Sequence, residues 1–173
     1  MLKRTTQRKQ ADRSGFTLIE ALIASFIVGV GVSAIMVATK SNTRVNANAR
    51  EITNAINLSQ EIREWTLKLP FVDPETPDNP PGPDGAEDPQ TVGNIDDLDD
   101  LMGVTYSPPR DGTGQALSDM TGWSQQITLT WRNPDNLSEI LTDGASEMIY
   151  VEVMVSSGSQ PVLTTGWLVT KRN

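Results

Sequence analysis

A 23-residue stretch from Phe16 to Ala38 carries a single charged side chain, Glu20, and this run limits the possible folds more than any other feature. As a helix rising about 1.5 Å per residue it reaches roughly 34 Å, enough to cross a hydrocarbon layer of about 30 Å once. Helices buried in soluble proteins seldom stay apolar on every face for so long, so the run reads as a membrane span. Glu20 sits at its mouth. An ionised carboxylate costs on the order of 2.5–3.5 kcal/mol at the centre of such a helix and less toward its end, which still favours a partner. That partner need not belong to the same chain.

The two sides of the span differ in charge. Residues 1–15 hold Lys3, Arg4, Arg8, Lys9 and Arg13 against Asp12, a local charge of +4, so the remainder of a chain totalling −8 carries −12. A cationic flank stays on the cytoplasmic side of a membrane. A body this acidic repels a phosphate backbone, which sets nucleic acid aside as a partner. The sequence has neither cysteine nor histidine. It is therefore no disulfide scaffold, and it lacks the commonest general base and metal ligand, which removes most hydrolase and zinc-enzyme readings. A secretory signal peptide is a rival reading of the start, with Ala47-Asn48-Ala49 as a small-x-small cut. Its apolar core would exceed the roughly 7–15 residues usual for such peptides, and Lys40 and Arg44 would lie before the cut.

Past the span the periodicity becomes amphipathic. Val45, Ala49, Ile52, Ile56, Ile62, Trp65 and Leu69 recur at helical spacing, with Ala55 and Leu58 widening the stripe, and no proline intervenes before Pro70. Glu64 and Lys68 lie four apart on the other face in the favourable order. The segment Pro70–Asn94 has seven prolines and acids but no base, and reads as a solvated, extended loop. Strand alternation follows in Ile127–Trp131, Ile149–Val155 and Leu163–Val169, separated by Asn133-Pro134-Asp135-Asn136 and Ser157-Gly158-Ser159. The predicted fold is α+β: a long N-terminal helix, transmembrane then amphipathic, packed on a small antiparallel sheet. The expected segments are 1–15, a basic leader; 16–40, the transmembrane helix; 41–69, the amphipathic spine; 70–94, the acidic loop; and 95–173, the β part.

Other candidate chemistry is sparse. Asp96, Asp97, Asp99 and Asp100 would suit calcium by ligand type, but their spacing matches no helix-loop-helix site, and a solvated acidic turn is the preferred reading. Nothing provides the buried carboxylic acid that glycoside hydrolysis needs. Trp123, Trp131 and Trp167 on strand positions fit a core better than a sugar-stacking platform. Gly112-Thr113-Gly114 lacks the lysine of a phosphate loop and reads as a turn. No catalytic residue, metal ligand or cofactor is assigned.

The letters Gly15-Phe16-Thr17-Leu18-Ile19-Glu20 after a short basic leader resemble the processing site of type IV prepilins and of the related pseudopilins of type II secretion. The resemblance implies cleavage by a membrane peptidase between Gly15 and Phe16, N-methylation of Phe16, and a role for Glu20, then the fifth residue of the mature chain, in assembly. A glycine lets the backbone enter a protease cleft closely. Cutting there removes all five leader cations and leaves an ammonium about 6 Å along the helix from Glu20, so the amine of one Phe16 can pair with Glu20 of a neighbour.

Departures from the family pattern bear on the branch. Major pilins typically carry a C-terminal disulfide loop and a proline in the membrane helix; this chain has no cysteine, and Gly29 and Gly31 but no proline. The stretch Asp96–Gly103, with Ser107-Pro108-Pro109 and Gly122-Trp123, is similar to a segment of MshD-type minor pilins, and the spine is similar to the PilV-like group. The resemblance thus implies a minor pilin or pseudopilin of the bacterial inner membrane, N-terminus cytoplasmic, that moves into a pilus or pseudopilus. Its implied partners are other pilins, the prepilin peptidase, an assembly platform and membrane lipid. The alternative is an uncleaved single-pass anchor displaying an extracytoplasmic binding module.

Overall fold

Residues Leu18–Thr66 form one helix of 49 residues, α1. No proline lies within it, and Thr17 precedes it as an N-terminal cap. The structure is a computed structural model that describes residues 17–73, 80–83 and 87–171, in two compact units, Met1–Asn46 and Ala47–Asn173.

In the first unit the described side chains are exposed, and the most apolar window of α1 has a mean hydropathy of 2.4 with none of it buried. Within its apolar stretch the serine hydroxyls, and that of Thr39 just beyond, are satisfied within the helix. Ser25, Ser33 and Thr39 donate to the carbonyls of Ala21, Gly29 and Ile35 at 2.8–2.9 Å. Such back-bonding satisfies these three hydroxyls without water, as a lipid environment requires.

In the second unit α1 buries Ala55, Leu58, Ser59, Ile62, Trp65 and Thr66. This differs from the predicted stripe, since Val45, Ala49, Ile52 and Ile56 stay exposed. The reason is chemical. Ser59 and Thr66 turn their hydroxyls onto the carbonyls of Ile56 and Arg63 at 2.8 and 3.0 Å, so they pack as small apolar groups and shift the buried face away from the larger Ile52 and Ile56.

The sheet comprises β1 (Thr105–Tyr106), β2 (Trp123–Asn133), β3 (Asn136–Ile140), β4 (Met148–Ser157) and β5 (Gln160–Thr170). Its order is β1-β2-β4-β5, with β3 also pairing β2, and every described pairing is antiparallel. The three predicted strands lie within β2, β4 and β5; the two-residue β1 and fully exposed β3 lack a clear alternation. On the inner face Ile127, Leu129 and Trp131 stand opposite Val153, Val151 and Ile149, all buried. Each fully buried Leu or Ile here contributes on the order of 2 kcal/mol. Tyr106 joins the same core, its ring 5.8 Å from that of Trp65.

The 70–94 segment differs from a solvated spacer. Its described parts are tied to the body: Leu98 donates its backbone N–H to the Pro70 carbonyl at 3.0 Å, Tyr106 its hydroxyl to Pro89 at 2.9 Å, and Arg110 its Nη2 to Gln90 at 2.6 Å. Phe71 packs against the core. Gly112-Thr113-Gly114 is the turn expected, and it clasps α1: Gly112 donates its N–H to Glu61 at 2.6 Å while its carbonyl accepts from Lys68 Nζ at 2.7 Å.

Candidate functional site

The mouth of the apolar helix is built from four letters, Thr17-Leu18-Ile19-Glu20. Thr17 and Glu20 form a reciprocal cap: Glu20 Oε2 accepts the Thr17 backbone N–H at 2.9 Å and the Thr17 hydroxyl at 2.9 Å, and the Glu20 N–H approaches Thr17 Oγ1 at 3.4 Å. Such a box satisfies otherwise orphaned donors at a helix start and places a negative charge at the positive end of the helix dipole. Glu20 thus has an intrachain partner that the sequence reading left aside, although the Thr-x-x-Glu spacing signals it. Both groups are exposed, so neither is locked away from a second chain. Gly15 and Phe16, the other assigned residues, lie outside the described residues.

The acidic cluster differs from a solvated turn. Asp97 and Asp100 are buried, and each carboxylate closes a backbone turn. Asp97 Oδ1 accepts the N–H groups of Asp99 at 2.9 Å and Asp100 at 3.2 Å, while Asp100 Oδ2 accepts that of Asp96 at 3.0 Å and approaches that of Asp97 at 3.4 Å. Asp99 accepts the N–H of Gly82 at 2.7 Å. Burial, reinforced by the negative charge of Asp99, pushes the Asp97 carboxyl up to about 7. Burial also raises Asp100 to about 6, against the lowering effect of its N–H donors. Among the described residues no three acidic side chains are grouped to hold a metal ion.

The tryptophans serve packing. Trp131 is buried, Trp123 and Trp167 border the core, and Trp167 Nε1 donates to Thr66 Oγ1 at 3.2 Å. Tyr150 lies on the opposite sheet face beneath Arg132, whose guanidinium carbon is 5.2 Å from the ring centre.

A long apolar helix with a capped acidic mouth, packed through its far half on an antiparallel sheet, defines a pilin-like α+β layout. A family model described as the prokaryotic N-terminal methylation motif matches residues 10–36, the stretch holding Gly15, Phe16, Glu20 and nearly all of the apolar run. The chain therefore carries a type IV prepilin-like signal, which supports the pilin and pseudopilin family, a family of structural subunits. No curated protein and no solved structure matches the chain.

Proposed function

We propose that this protein is a minor type IV pilin or pseudopilin, delivered to the bacterial inner membrane with its N-terminus cytoplasmic and incorporated into a pilus or secretion pseudopilus through α1. Prepilin peptidase cuts between Gly15 and Phe16, and Phe16 is N-methylated. The ammonium so released pairs with Glu20 of an adjacent subunit, offsetting the desolvation of both charges. The role is structural rather than enzymatic. Its partners are sister pilins, the peptidase, the assembly platform and membrane lipid.

The observation that carries this reading is the methylation motif over residues 10–36, which takes in most of the apolar, fully exposed first part of α1. The absence of cysteine and of a membrane-helix proline favours a minor subunit over a principal one. Mass spectrometry of protein extracted from membranes of a peptidase-competent host tests it: the chain is to begin at methylated Phe16. Retention of residues 1–15 overturns the reading and favours the uncleaved anchor.

A further inference from the structure

Charge is segregated along the sequence of α1. Between Glu20 and Glu51 there is no acid, and the charged side chains are the cations Lys40, Arg44 and Arg50, whereas residues 51–173 carry a net −14. Lys40 is the first charge after Glu20 and follows Ala38, the end of the apolar run, by two positions.

Helix rise sets the level of Lys40 and Arg44. From Glu20 to Lys40 the unbroken helix climbs about 30 Å, the thickness of a hydrocarbon layer. With Glu20 at one boundary Lys40 therefore reaches the other, and Arg44, about 6 Å farther on, falls in the headgroup layer. The two stand four residues apart, so they share one helix face with Cβ atoms about 5–6 Å from each other.

Both cations are exposed. No acid lies three or four positions from either, and the ion pair found among the described residues is that of Lys171 with Glu147, so no carboxylate of α1 neutralises them. The hydroxyls beside them are already committed: Thr39 and Thr43 donate to the carbonyls of Ile35 and Thr39 at 2.9 and 3.0 Å.

We propose that Lys40 and Arg44 form a collar that binds the phosphate of anionic phospholipids at the extracytoplasmic boundary of the span. A guanidinium fork and an ammonium point charge both suit phosphate, and their long stems lie along apolar surface while the heads stay among the headgroups. A zwitterionic lipid brings its own ammonium to that layer, so the pair selects the anionic one. The level favours lipid over a second copy of this chain, whose acids lie at Glu20, near the opposite boundary, or from Glu51 onward, seven residues past Arg44. The collar also offsets the repulsion between an anionic surface and the acidic residues that follow. It rests on the reading of α1 as a membrane span, and not on cleavage at Gly15 or on contact between subunits.

A label at that level reads the lipid directly, because the chain has no cysteine of its own. Full-length protein with Ser41→Cys carrying a bimane fluorophore is placed in phosphatidylcholine vesicles in which a fixed fraction of lipid is dibrominated, as either phosphatidylglycerol or phosphatidylcholine. Bromine quenches at contact, so the ratio of the two quenching curves gives the preference of the lipid around the label. With Lys40 and Arg44 in place the anionic lipid is to be favoured severalfold, at about fivefold per cation. Lys40→Gln with Arg44→Gln is to bring the ratio near one. Lys40→Arg with Arg44→Lys is to keep it, and so is Arg63→Gln on the part of α1 that packs on the sheet. All these positions are exposed, so folding is not at stake.

Equal quenching by the two lipids overturns the collar, and so does a double glutamine variant that keeps the preference. Loss of the preference on adding inorganic phosphate at constant ionic strength assigns the pair to a free anion and overturns it too. Quenching by neither lipid overturns the membrane span on which the collar rests.

Discussion

Gln125, buried on β2, donates its Nε2 to the Leu58 carbonyl of α1 at 2.8 Å, joining helix to sheet across 67 residues of sequence. The same amide accepts the Arg110 N–H at 2.6 Å and approaches the Arg110 carbonyl at 3.1 Å. One side chain therefore holds the helix, the central strand and the turn that clasps the helix. Gln125→Leu keeps the volume but strands the Arg110 N–H, and is expected to cost about 2–3 kcal/mol. Thermal unfolding followed by tryptophan fluorescence checks it, because all four tryptophans lie in the second unit.

Gly114 sits against Trp65 with φ +80°, and an added Cβ would come 2.6 Å from the indole Cζ2. Gly114→Ala meets two obstacles: a left-handed backbone that costs an L-residue roughly 1–2 kcal/mol, and an overpacked ring costing about 1–3 kcal/mol more. Gly103→Ala is the matched control, with φ +71° and open space around its Cβ. It is expected to lose only the backbone part, and equal losses at the two sites would refute the contact with Trp65.

Asp97 and Asp100 give the body an unusual pH dependence. Unfolded, both carboxyls ionise near pH 4; folded, they retain protons up to about 7 and about 6. Between these limits the folded state binds more protons, so stability is greatest below about pH 4 as far as these two groups act, and falls as pH rises to about 7. The unfolding midpoint is expected to be higher at pH 5 than at pH 8. Asp97→Asn keeps an oxygen for the N–H groups of Asp99 and Asp100 without the buried charge. It is expected to raise the midpoint at pH 8 and flatten the profile.

That same pair shows where sequence reading reaches its limit. Four aspartates in five residues look like a solvated run because letters report charge, whereas burial of two of them follows from backbone N–H groups two to four residues away that their carboxylates satisfy. The 70–94 segment looks free for a similar reason, its anchors being Tyr106, Arg110 and Leu98, none adjacent in sequence. The apolar run and the strands of β2, β4 and β5 were legible because each has its own period over seven or more residues or alternation over five or more. On α1 the period was legible but the phase was not, because Ser59 and Thr66 pack like apolar residues once their hydroxyls bond to the helix.

Glu20 is asked to do two things, and substitutions can separate them. As the third helical residue of a capping box it needs only an acceptor, which glutamine also supplies; as partner to a neighbour's ammonium it needs a full negative charge. Glu20→Gln is therefore expected to leave the helix start intact, at a loss of no more than about 1 kcal/mol from the dipole interaction, yet to impair incorporation as severely as Glu20→Ala. Thr17→Ala reverses the design: it removes the hydroxyl of the cap, at a cost of about 1 kcal/mol to the helix, while keeping the charge, and incorporation is expected to survive. The readout is the amount of protein in sheared filaments or pseudopili relative to the membrane pool, with mass spectrometry confirming that each variant begins at Phe16. If Glu20→Gln assembles normally while Thr17→Ala fails, the carboxylate is a helix cap and nothing more, and pairing between subunits is refuted.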